Sequence, residues 1–274
     1  METIGLIDGD IYAYEIASVA EKATDWGDGL WTLHADATHA AVQLDDRMQQ
    51  LKEVISADRL IVCLSDSENW RMKVLPTYKK NRVGVRRPMI LAALKQHLVD
   101  NYDVFIRPTL EADDVLGILA TWPKLKGNKI IVTKDKDLKT IPCKVYMTHK
   151  PELGVEEVTV EEADRWHLIQ AMAGDTTDGY SGCPSVGLQT AETILDELYG
   201  WEQYDHEMKA GPRKGEIEKR WRKIQCVTPW EAIVSQFQKN GLGPKEALVQ
   251  ARVARICRSS DYDFKNKKVK LWTP

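Results

Sequence analysis

Acidic side chains follow four of the apolar, β-prone runs in this 274-residue chain, each at or just beyond the carboxyl end of its run. They are Asp8 and Asp10 after Ile4–Ile7, Asp66 after Arg59–Leu64, Glu111, Asp113 and Asp114 after Asp103–Arg107, and Asp135 and Asp137 after Lys129–Thr133. A single Asp after a strand is more often a turn or cap residue than a ligand. The carboxyl ends of parallel strands, however, meet at one edge of a sheet, where ligands bind. So many carboxylates in one place would repel one another unless divalent cations neutralised them.

The types of these side chains indicate which metal such a site would hold. Carboxylate oxygens without cysteine are the ligands of Mg²⁺ or Mn²⁺ rather than of zinc. His34 and His39 are five residues apart, a spacing that matches no metal-ligand pattern. A further acidic pair, Asp175 and Asp178, lies beyond the last β-prone run. The sequence therefore predicts a carboxylate site for more than one divalent cation.

The elements that must position these acids alternate between strands and helices over residues 1–155. The helical patterns are Ala35–Ile55, Met89–Val99 and Leu110–Trp122, and a fifth β-prone run is Lys144–Met147. This alternation predicts an α/β fold with a mostly parallel central sheet and helices on both faces. Thr159 and Glu162 have the spacing of a capping box, which predicts a helix through Met172. Residues 156–274 are predicted to form a second, helical region.

The net charge of −3 combines two opposed parts of the chain. From Glu207 to Pro274 there are 16 Lys and Arg against 7 Asp and Glu, so the preceding part is strongly acidic. Trp70–Arg87 contains seven basic residues and no acidic one. Such stretches favour a polyanion as partner, although solvated surface charge explains them equally well at this point.

Composition also bears on where the protein works. No run reaches the roughly 18 apolar residues of a membrane span. The first residues lack the basic region and apolar stretch of a signal peptide. The five cysteines have unrelated spacings and no C-x-x-C pair. We therefore expect a cytoplasmic protein in a reducing environment, without a membrane partner.

Six segments, in this order, resemble the structure-specific 5′ nuclease family, the 5′-3′ exonucleases and flap endonucleases. They are LIDGD (Leu6–Asp10), LSD (Leu64–Asp66), LPTYKKNR (Leu75–Arg82), EADDV (Glu111–Val115), TKDKDL (Thr133–Leu138) and GDTTDGYSGCPSVGLQTA (Gly174–Ala191). The chain is most similar to free-standing members encoded by bacteriophages. The resemblance implies a PIN-like or resolvase-like nuclease core in residues 1–155 and a basic helical arch at about 70–90. It also implies a helix–three-turn–helix DNA-binding element at 174–191, within the helical region 156–274.

The resemblance further implies how the acids are divided between two Mg²⁺ ions, for which Mn²⁺ can substitute. The first ion would be held by Asp8, Asp66, Glu111 and Asp113, and the second by Asp135, Asp137 and Asp178, with Asp175 and Asp114 close by or acting through water. Helical spacing puts Glu111 and Asp114 on one face, so Asp114 remains an alternative to Asp113. Asp10 is either an outer ligand or only a turn residue. Two such ions would clamp the scissile phosphate and leave 5′-phosphate products.

Side chains of the basic stretch would contact the substrate. Lys79 and Arg82 are three residues apart, so on a helix they share a face and reach one phosphate as catalytic cations. Tyr78 would stack on the terminal base of the strand. Lys80 and Arg86 are expected to contact the DNA backbone.

The glycine-rich loop at 182–187 is expected to grip one strand of the duplex. Gly182, Val186 and Gly187 would bring backbone N–H groups close to a phosphate at the start of a helix. The resemblance also implies a monovalent cation at this loop.

Together these features predict a metal-dependent 5′-3′ exonuclease acting on duplex DNA ends, with flap endonuclease and RNase H-like primer removal as further activities. Expected partners are duplex or flap DNA, RNA–DNA hybrid and replication proteins. We expect a monomer, working in the cytoplasm of the host cell if a phage encodes it. Two alternatives remain open here. A PIN-like single-strand ribonuclease would lack the 174–191 element, and a non-catalytic duplex DNA-binding protein would not need clustered acids.

Overall fold

The computed structural model describes residues 1–274. The strands are β1 (Thr3–Asp8), β2 (Lys22–Asp25), β3 (Trp31–His34), β4 (Arg59–Cys63), β5 (Val104–Phe105), β6 (Asn128–Thr133), β7 (Lys144–Met147), β8 (Val155–Glu157), β9 (Tyr199–Glu207), β10 (Ile217–Gln225), β11 (Tyr262–Asp263) and β12 (Lys268–Val269). The α-helices are α1 (Gly9–Ala20), α2 (Ala37–Val54), α3 (Arg71–Val74), α4 (Leu91–Asn101), α5 (Ala112–Thr121), α6 (Val160–Ala173), α7 (Leu188–Glu197), α8 (Pro229–Lys239) and α9 (Pro244–Ala254). Short 3-10 helices cover Lys80–Arg82, Lys136–Thr140, Pro151–Leu153 and Ser259–Asp261. None of the helices is long and apolar enough to cross a membrane.

A six-stranded sheet in the order β5-β4-β1-β6-β7-β8 carries the acidic loops. The first five strands are parallel, and β8 pairs with β7 in the antiparallel direction. Asp8 of β1 lies opposite Cys63 of β4, and Ile7 lies opposite Val132 of β6. The carboxyl ends of these three central strands are therefore level with one another. The prediction of a mostly parallel sheet is confirmed.

Helices cover this sheet because successive side chains of its strands point to opposite faces. Ile7, Val62 and Val132 pack into one core with buried residues of α1, α2 and α4. Helix α5 packs against β1, β4 and β6, and its residues from Asp114 to Ala120 are all buried. An apolar helix of this kind belongs inside a layered α/β fold.

The chain divides into two compact units. Unit 1 consists of Met1–Trp70, Arg82–Ala163 and Ile256–Lys270, and unit 2 consists of Arg71–Asn81, Asp164–Arg255 and Leu271–Pro274. The last segment of unit 1 is fixed to α5, since Ser259 N donates to Thr121 Oγ1 at 2.8 Å. Unit 2 has its own apolar core, which includes Ile169, Ile194 and Phe237.

The expectation of an entirely helical region after residue 155 was wrong. Strands β9 and β10 pair along nine residues each as an antiparallel hairpin. Aromatic or β-branched residues recur through both strands, as at Tyr199, Trp201 and Trp221, and such residues favour strands. Charged residues lie between these aromatic and β-branched residues. They made the segment look like the exposed face of a helix, because an exposed helix face and a solvent-exposed hairpin have similar compositions.

The predicted helical arch is only partly helical. After α3 the chain forms no regular helix until the single 3-10 turn at Lys80–Arg82. Proline at 76 disfavours the helical conformation of the residue before it, and Lys79 adopts a left-handed conformation with φ of 52°. Lys79 and Arg82 therefore do not share the face of one helix.

All five cysteines are free thiols, and only Cys143 is not fully buried. Desolvation by burial raises the pKa of Cys143 to about 12 and that of Cys183 to about 11. The same effect raises the pKa of Cys63 and of Cys226.

Candidate active site

Asp8 is the buried carboxylate at the centre of the acidic edge in unit 1. It ends β1 and caps α1, and its side chain accepts hydrogen bonds from Ile11 N and Thr133 Oγ1, both at 3.3 Å. Only 2% of its surface is exposed. Desolvation, followed by the charge of Asp10 and then that of Asp135, raises the pKa of Asp8 to about 7. A neutralising cation at this position would remove that electrostatic cost.

Gly9 allows the chain to turn into α1 directly after Asp8. A Cβ atom at this position would lie 2.5 Å from Val62 Cγ1 and 3.1 Å from the carbonyl oxygen of Cys63. The start of α1 therefore passes too close to β4 for any side chain. This close approach fixes Asp8 at the strand edge.

Asp10 connects three elements of unit 1 rather than standing free at the edge. Its Oδ1 lies 2.7 Å from Nζ of Lys95, and its Oδ2 accepts a hydrogen bond from Ser65 N at 3.1 Å. It thus joins the start of α1 to α4 and to the end of β4. Of the two roles considered for Asp10, a structural one fits these contacts better than that of an outer ligand.

Asp66 lies in the loop that follows β4. Its Oδ2 accepts a hydrogen bond from Thr109 N at 2.7 Å, and the hydrogen bonds to its carboxylate lower its pKa. Thr109 has a φ of 64°, a conformation that aims its N–H at this acid. Asp66 is therefore a charged carboxylate held between the loops after β4 and β5.

Glu111 and Asp113 begin α5 and are both half-buried. The backbone of this turn is fixed, since Ala112 N donates to Ser65 Oγ at 2.9 Å. The bond ties the first turn of α5 to the loop that carries Asp66. Both acids thus begin a helix at the edge where Asp8 lies.

Asp114 does not suit the role of metal ligand that was assigned to it. It is fully buried, its Oδ2 accepts a hydrogen bond from Trp70 Nε1 at 2.9 Å, and its Oδ1 accepts one from Cys257 N at 3.0 Å. Both carboxylate oxygens are thus used inside the protein. The structure favours Asp113 over the alternative that helical spacing suggested.

Asp135 and Asp137 follow β6 and are half-buried. Asp135 caps the 3-10 turn at Lys136–Thr140 by accepting a hydrogen bond from Asp137 N at 2.8 Å. Thr133, which the sequence did not single out, accepts from Asp135 N at 3.0 Å while donating to Asp8. Its position could have identified it, because Thr133 is the last residue of β6 and comes two residues before Asp135 in the sequence.

Unit 1 thus brings Asp8, Asp66, Glu111, Asp113, Asp135 and Asp137 to loops at one edge of the sheet. No three of the chain's His, Cys, Asp or Glu side chains are close enough to hold a metal ion as they stand. The donors available at the edge are carboxylate oxygens, which fit a hard divalent cation.

Asp175 and Asp178 lie in one loop of unit 2. Asp175 accepts a hydrogen bond from Thr177 N at 2.7 Å and stabilises the turn. Asp178 Oδ2 accepts a hydrogen bond from Tyr78 Oη at 3.0 Å and lies 3.4 Å from Nζ of Lys79. The backbone N–H of Lys79 also donates to the carbonyl of Asp178 at 2.7 Å.

Tyr78 does not occupy a position from which it could stack on a base. It is 3% exposed, and the centre of its ring lies 5.7 Å from the guanidinium of Arg71 and 5.1 Å from Nζ of Lys79. Its hydroxyl donates to Asp178. Tyr78 is therefore a positioning residue for Asp178, and its assignment to substrate stacking was wrong.

The four basic residues assigned to DNA have different surroundings. Lys79 is held beside Asp178, whereas Lys80 and Arg82 are exposed. Arg86 lies 2.8 Å from Oε1 of Glu21, and its hydrogen bonds are the main cause that lowers the pKa of Glu21 to about 2. This pair joins Arg86 to the end of α1, so a structural role competes with a DNA contact.

The loop at 182–187 divides into buried and open positions. Gly182 has a φ of 65°, is buried, and donates its N–H to Gln250 Oε1 at 2.9 Å. Val186 is 7% exposed and packs in the apolar core of unit 2. Neither can reach a phosphate in this arrangement, so the structure corrects both assignments.

Gly187 differs from these two loop residues. It is exposed, precedes α7 as its cap residue, and has no atom within 4 Å of a Cβ built on it. Of the three loop residues assigned to DNA, it is the one placed to meet an anion at a helix start.

Comparison with known proteins identifies relatives over nearly the whole chain. Residues 3–165 match the family described as "5′-3′ exonuclease, N-terminal resolvase-like domain". The exodeoxyribonuclease of Enterobacteria phage T3 is 32% identical over 98% of this chain and 92% of that protein. The exonuclease of Escherichia phage T7 is 32% identical over 98% of this chain and 93% of that protein.

A solved structure supports the fold independently. A bacteriophage T5 flap endonuclease, in a pseudo-enzyme–product complex with DNA and metal ions, aligns with a TM-score of 0.51. It is 17% identical, and the alignment covers 72% of this chain and 75% of that chain. The ordered carboxylate motifs, the resolvase-like sheet and the full-length similarity agree, and this chain belongs to the 5′-3′ exonuclease family.

Proposed function

We propose that this protein is a divalent-metal-dependent 5′-3′ exonuclease that hydrolyses phosphodiesters at duplex DNA ends and leaves 5′-phosphates. Flap cleavage and removal of RNA from RNA–DNA hybrid are the further activities of the proposal. The observation that carries it is the buried Asp8 carboxylate at the edge of the sheet, whose pKa rises to about 7 beside Asp10 and Asp135. Full-length similarity to two phage exonucleases supports it.

The metal of the proposal is Mg²⁺, with Mn²⁺ as its substitute. Asp8, Asp66, Glu111 and Asp113 would hold one ion, and Asp135, Asp137 and Asp178 the other, with Asp175 close by or acting through water. The assignment of the last two rests on the sequence resemblance. All these donors are carboxylate oxygens, and the T5 flap endonuclease complex contains metal ions. Two such cations supply Lewis acidity and charge neutralisation at a scissile phosphate.

The chain's own residues position these acids. Thr133 holds Asp8 and the backbone of Asp135 through one hydroxyl, so both keep a fixed relation to β6. The Thr109 N–H holds Asp66, and the Tyr78 hydroxyl holds Asp178. A charged carboxylate that already accepts a hydrogen bond needs less rearrangement to become a ligand.

Basic side chains would bind the phosphates of the substrate. We assign Lys79 and Arg82 to the scissile phosphate as cations that stabilise developing negative charge. Lys80 is assigned to the backbone of the strand, and Gly187 at the start of α7 to a phosphate of the duplex. A monovalent cation at the 182–187 loop is part of the same proposal.

The test is hydrolysis of 5′-labelled duplex, flap and RNA–DNA hybrid by the purified protein, with Mg²⁺ or with EDTA. The proposal requires Mg²⁺-dependent release of 5′-phosphate products from duplex DNA. Cleavage confined to single-stranded RNA would support the PIN-like ribonuclease instead. Duplex binding without metal-dependent cleavage of any substrate would support the non-catalytic DNA-binding protein.

A further inference from the structure

The β9–β10 hairpin of unit 2 forms one wall of an open groove that lies apart from every residue assigned above. The groove has a volume of about 720 Å³, and its other wall includes Glu231, Ser235 and Gln238 of α8. Two tryptophans and three glutamines stand out in its lining: Trp201, Trp221, Gln203, Gln225 and Gln238. Its volume lies within the range of ligand-binding clefts.

The root of the hairpin is fixed, so the groove is a built feature of unit 2. Trp201 N donates to Ser235 Oγ at 3.1 Å, and Trp201 Nε1 donates to Gln236 Oε1 at 3.1 Å. Gly200 lies so close to Ser235 and Cys226 that no side chain would fit there. These contacts hold the start of β9 against α8.

The strand register places aromatic and basic side chains on one face of the hairpin. Trp201 lies opposite Lys223, and Gln203 lies opposite Trp221, and residues opposite each other in a β-ladder share a face. A second lysine comes from α8, since Nζ of Lys239 lies 2.9 Å from the centre of the Trp201 ring. The face therefore combines indole surfaces with the Lys239 ammonium, whereas the Lys223 ammonium is paired with Glu197 at 2.6 Å.

Trp221 is the indole that remains available to a ligand. It is half-buried in the groove, yet it makes no hydrogen bond, ion pair or ring contact within the protein. An aromatic side chain on a hairpin gains stability when it packs against a neighbour across the strands. An indole with a free face beside amide groups offers what an unpaired nucleobase needs, which is stacking together with hydrogen bonds at its edge.

The two acids that line the groove already accept hydrogen bonds from other groups of the protein. Glu202 accepts a hydrogen bond from Arg222 Nε at 2.8 Å. Glu231 accepts from Val227 N at 2.9 Å and from Thr228 N at 3.2 Å at the start of α8. Lys239 has no acid partner, so its ammonium beside Trp201 is available to a phosphate group.

We propose that this groove binds an unpaired DNA strand, with a base stacked on Trp221 and a phosphate beside Lys239. Bases in the interior of a duplex are stacked on both faces, so the site favours single-stranded segments. The three glutamine side chains line the groove as donors and acceptors for base edges. The inference rests on the proposed function only in taking DNA as the polyanion, and its binding step needs no metal.

The test is binding of a fluorescein-labelled oligothymidylate by fluorescence anisotropy in EDTA, where no hydrolysis occurs. Trp221→Ala should weaken binding by about 10-fold, the effect of losing one stacked base. Trp221→Phe keeps a stacking ring and should stay within about 3-fold of the unaltered protein. Wild-type affinity in Trp221→Ala, or equal losses in both variants, would overturn the proposal.

A matched control separates the groove from the fold of the hairpin. Tyr204 is also a half-buried aromatic residue of β9, but the register places it on the other face, opposite Arg220. Tyr204→Ala should bind the oligonucleotide within about 2-fold of wild type. A loss as large as that of Trp221→Ala would mean that the hairpin, and not the groove, is being disturbed.

Hydrolysis of a blunt duplex with Mg²⁺ distinguishes this inference from the proposed function. Trp221→Ala should cleave the blunt duplex at the wild-type rate while binding the single strand poorly. If the wild-type protein binds the oligonucleotide through Trp221 but cleaves nothing, the proposed function fails and the groove stands. If the wild-type protein cleaves the duplex normally and Trp221→Ala binds the oligonucleotide as well as wild type, the groove proposal fails and the proposed function stands.

Discussion

At the scale of single residues, Asp8 is the carboxylate whose pKa the fold raises. It is buried at the end of β1. Desolvation and the negative charges of Asp10 and Asp135 raise its pKa to about 7. An unfolded chain would have an aspartate pKa of about 3.9. Between these two values the folded protein holds a proton that the unfolded chain has already lost.

This difference predicts a pH dependence of stability in metal-free buffer. The contribution of Asp8 is fully present below about pH 4 and is lost as pH rises through about 7, so the free energy of unfolding should fall over that window. The total change is at most about 4 kcal/mol. Asp8→Asn should remove most of it, measured by urea denaturation at several pH values. The exposed Asp46→Asn is the control, and identical profiles for the Asp8 variant and wild type would contradict the prediction.

The variants Asp135→Asn and Asp114→Asn are predicted to have different defects, the first in cleavage and the second in stability. Asp135 is half-buried at the edge, so its variant should fold normally but lose more than about 100-fold in single-turnover cleavage. Asp114 is buried with donors on both oxygens, so its variant leaves a donor facing a donor and should lose about 1–3 kcal/mol of stability. Thermal unfolding and single-turnover rates measure the two effects.

The contrast also defines what would refute the assignments. Normal cleavage by Asp135→Asn would remove that residue from the ligand set. An Asp114→Asn variant that is stable but inactive would restore Asp114 as a ligand. Neither result depends on the behaviour of the other variant.

At the scale of elements, the start of α1 beside β4 is the most tightly built part of the acidic edge. Gly9→Ala would place a methyl group 2.5 Å from Val62 Cγ1, so we expect a loss of about 1–3 kcal/mol from overpacking. Cleavage should also slow, since Asp8 must move with the displaced turn. Gly187→Ala is the control, because its Cβ meets no atom and the change should stay within about 0.5 kcal/mol. Equal stability of the two variants, by denaturant unfolding, would show that the turn relaxes.

The elements also show which parts of the structure were predictable. The parallel strands and their acids followed from apolar runs and loop composition, which are local properties of the sequence. The conformation of Lys79 and the burial of Tyr78 depend on contacts with Asp178, about a hundred positions along the chain, and no local pattern encodes them. Asp114 shares a helix face with Glu111, as a second metal ligand would. Its structural role becomes visible only in its hydrogen bonds with Trp70 and Cys257.

At the scale of the whole molecule, the net charge of −3 conceals an acidic majority and a basic carboxyl-terminal part. Acidic loops repel DNA unless a cation neutralises them. The affinity for a hydrolysis-resistant duplex should therefore rise by about 10-fold when Mg²⁺ replaces EDTA at constant ionic strength. Combining Asp8→Asn with Asp135→Asn should reduce that increase, as measured by anisotropy. Equal affinity of the wild-type protein with and without Mg²⁺ would contradict the prediction.

The burial of the five cysteines has a practical consequence. Four are enclosed, the fifth has a pKa near 12, and thiolates are the reactive form of the side chain, so the natural chain offers almost no nucleophilic sulfur at neutral pH. A cysteine placed at the exposed tip of the β9–β10 hairpin, as in Lys214→Cys, would react with a maleimide dye far faster than the others. One fluorophore could then report the arrival of a DNA strand at the hairpin without altering any of the five native thiols.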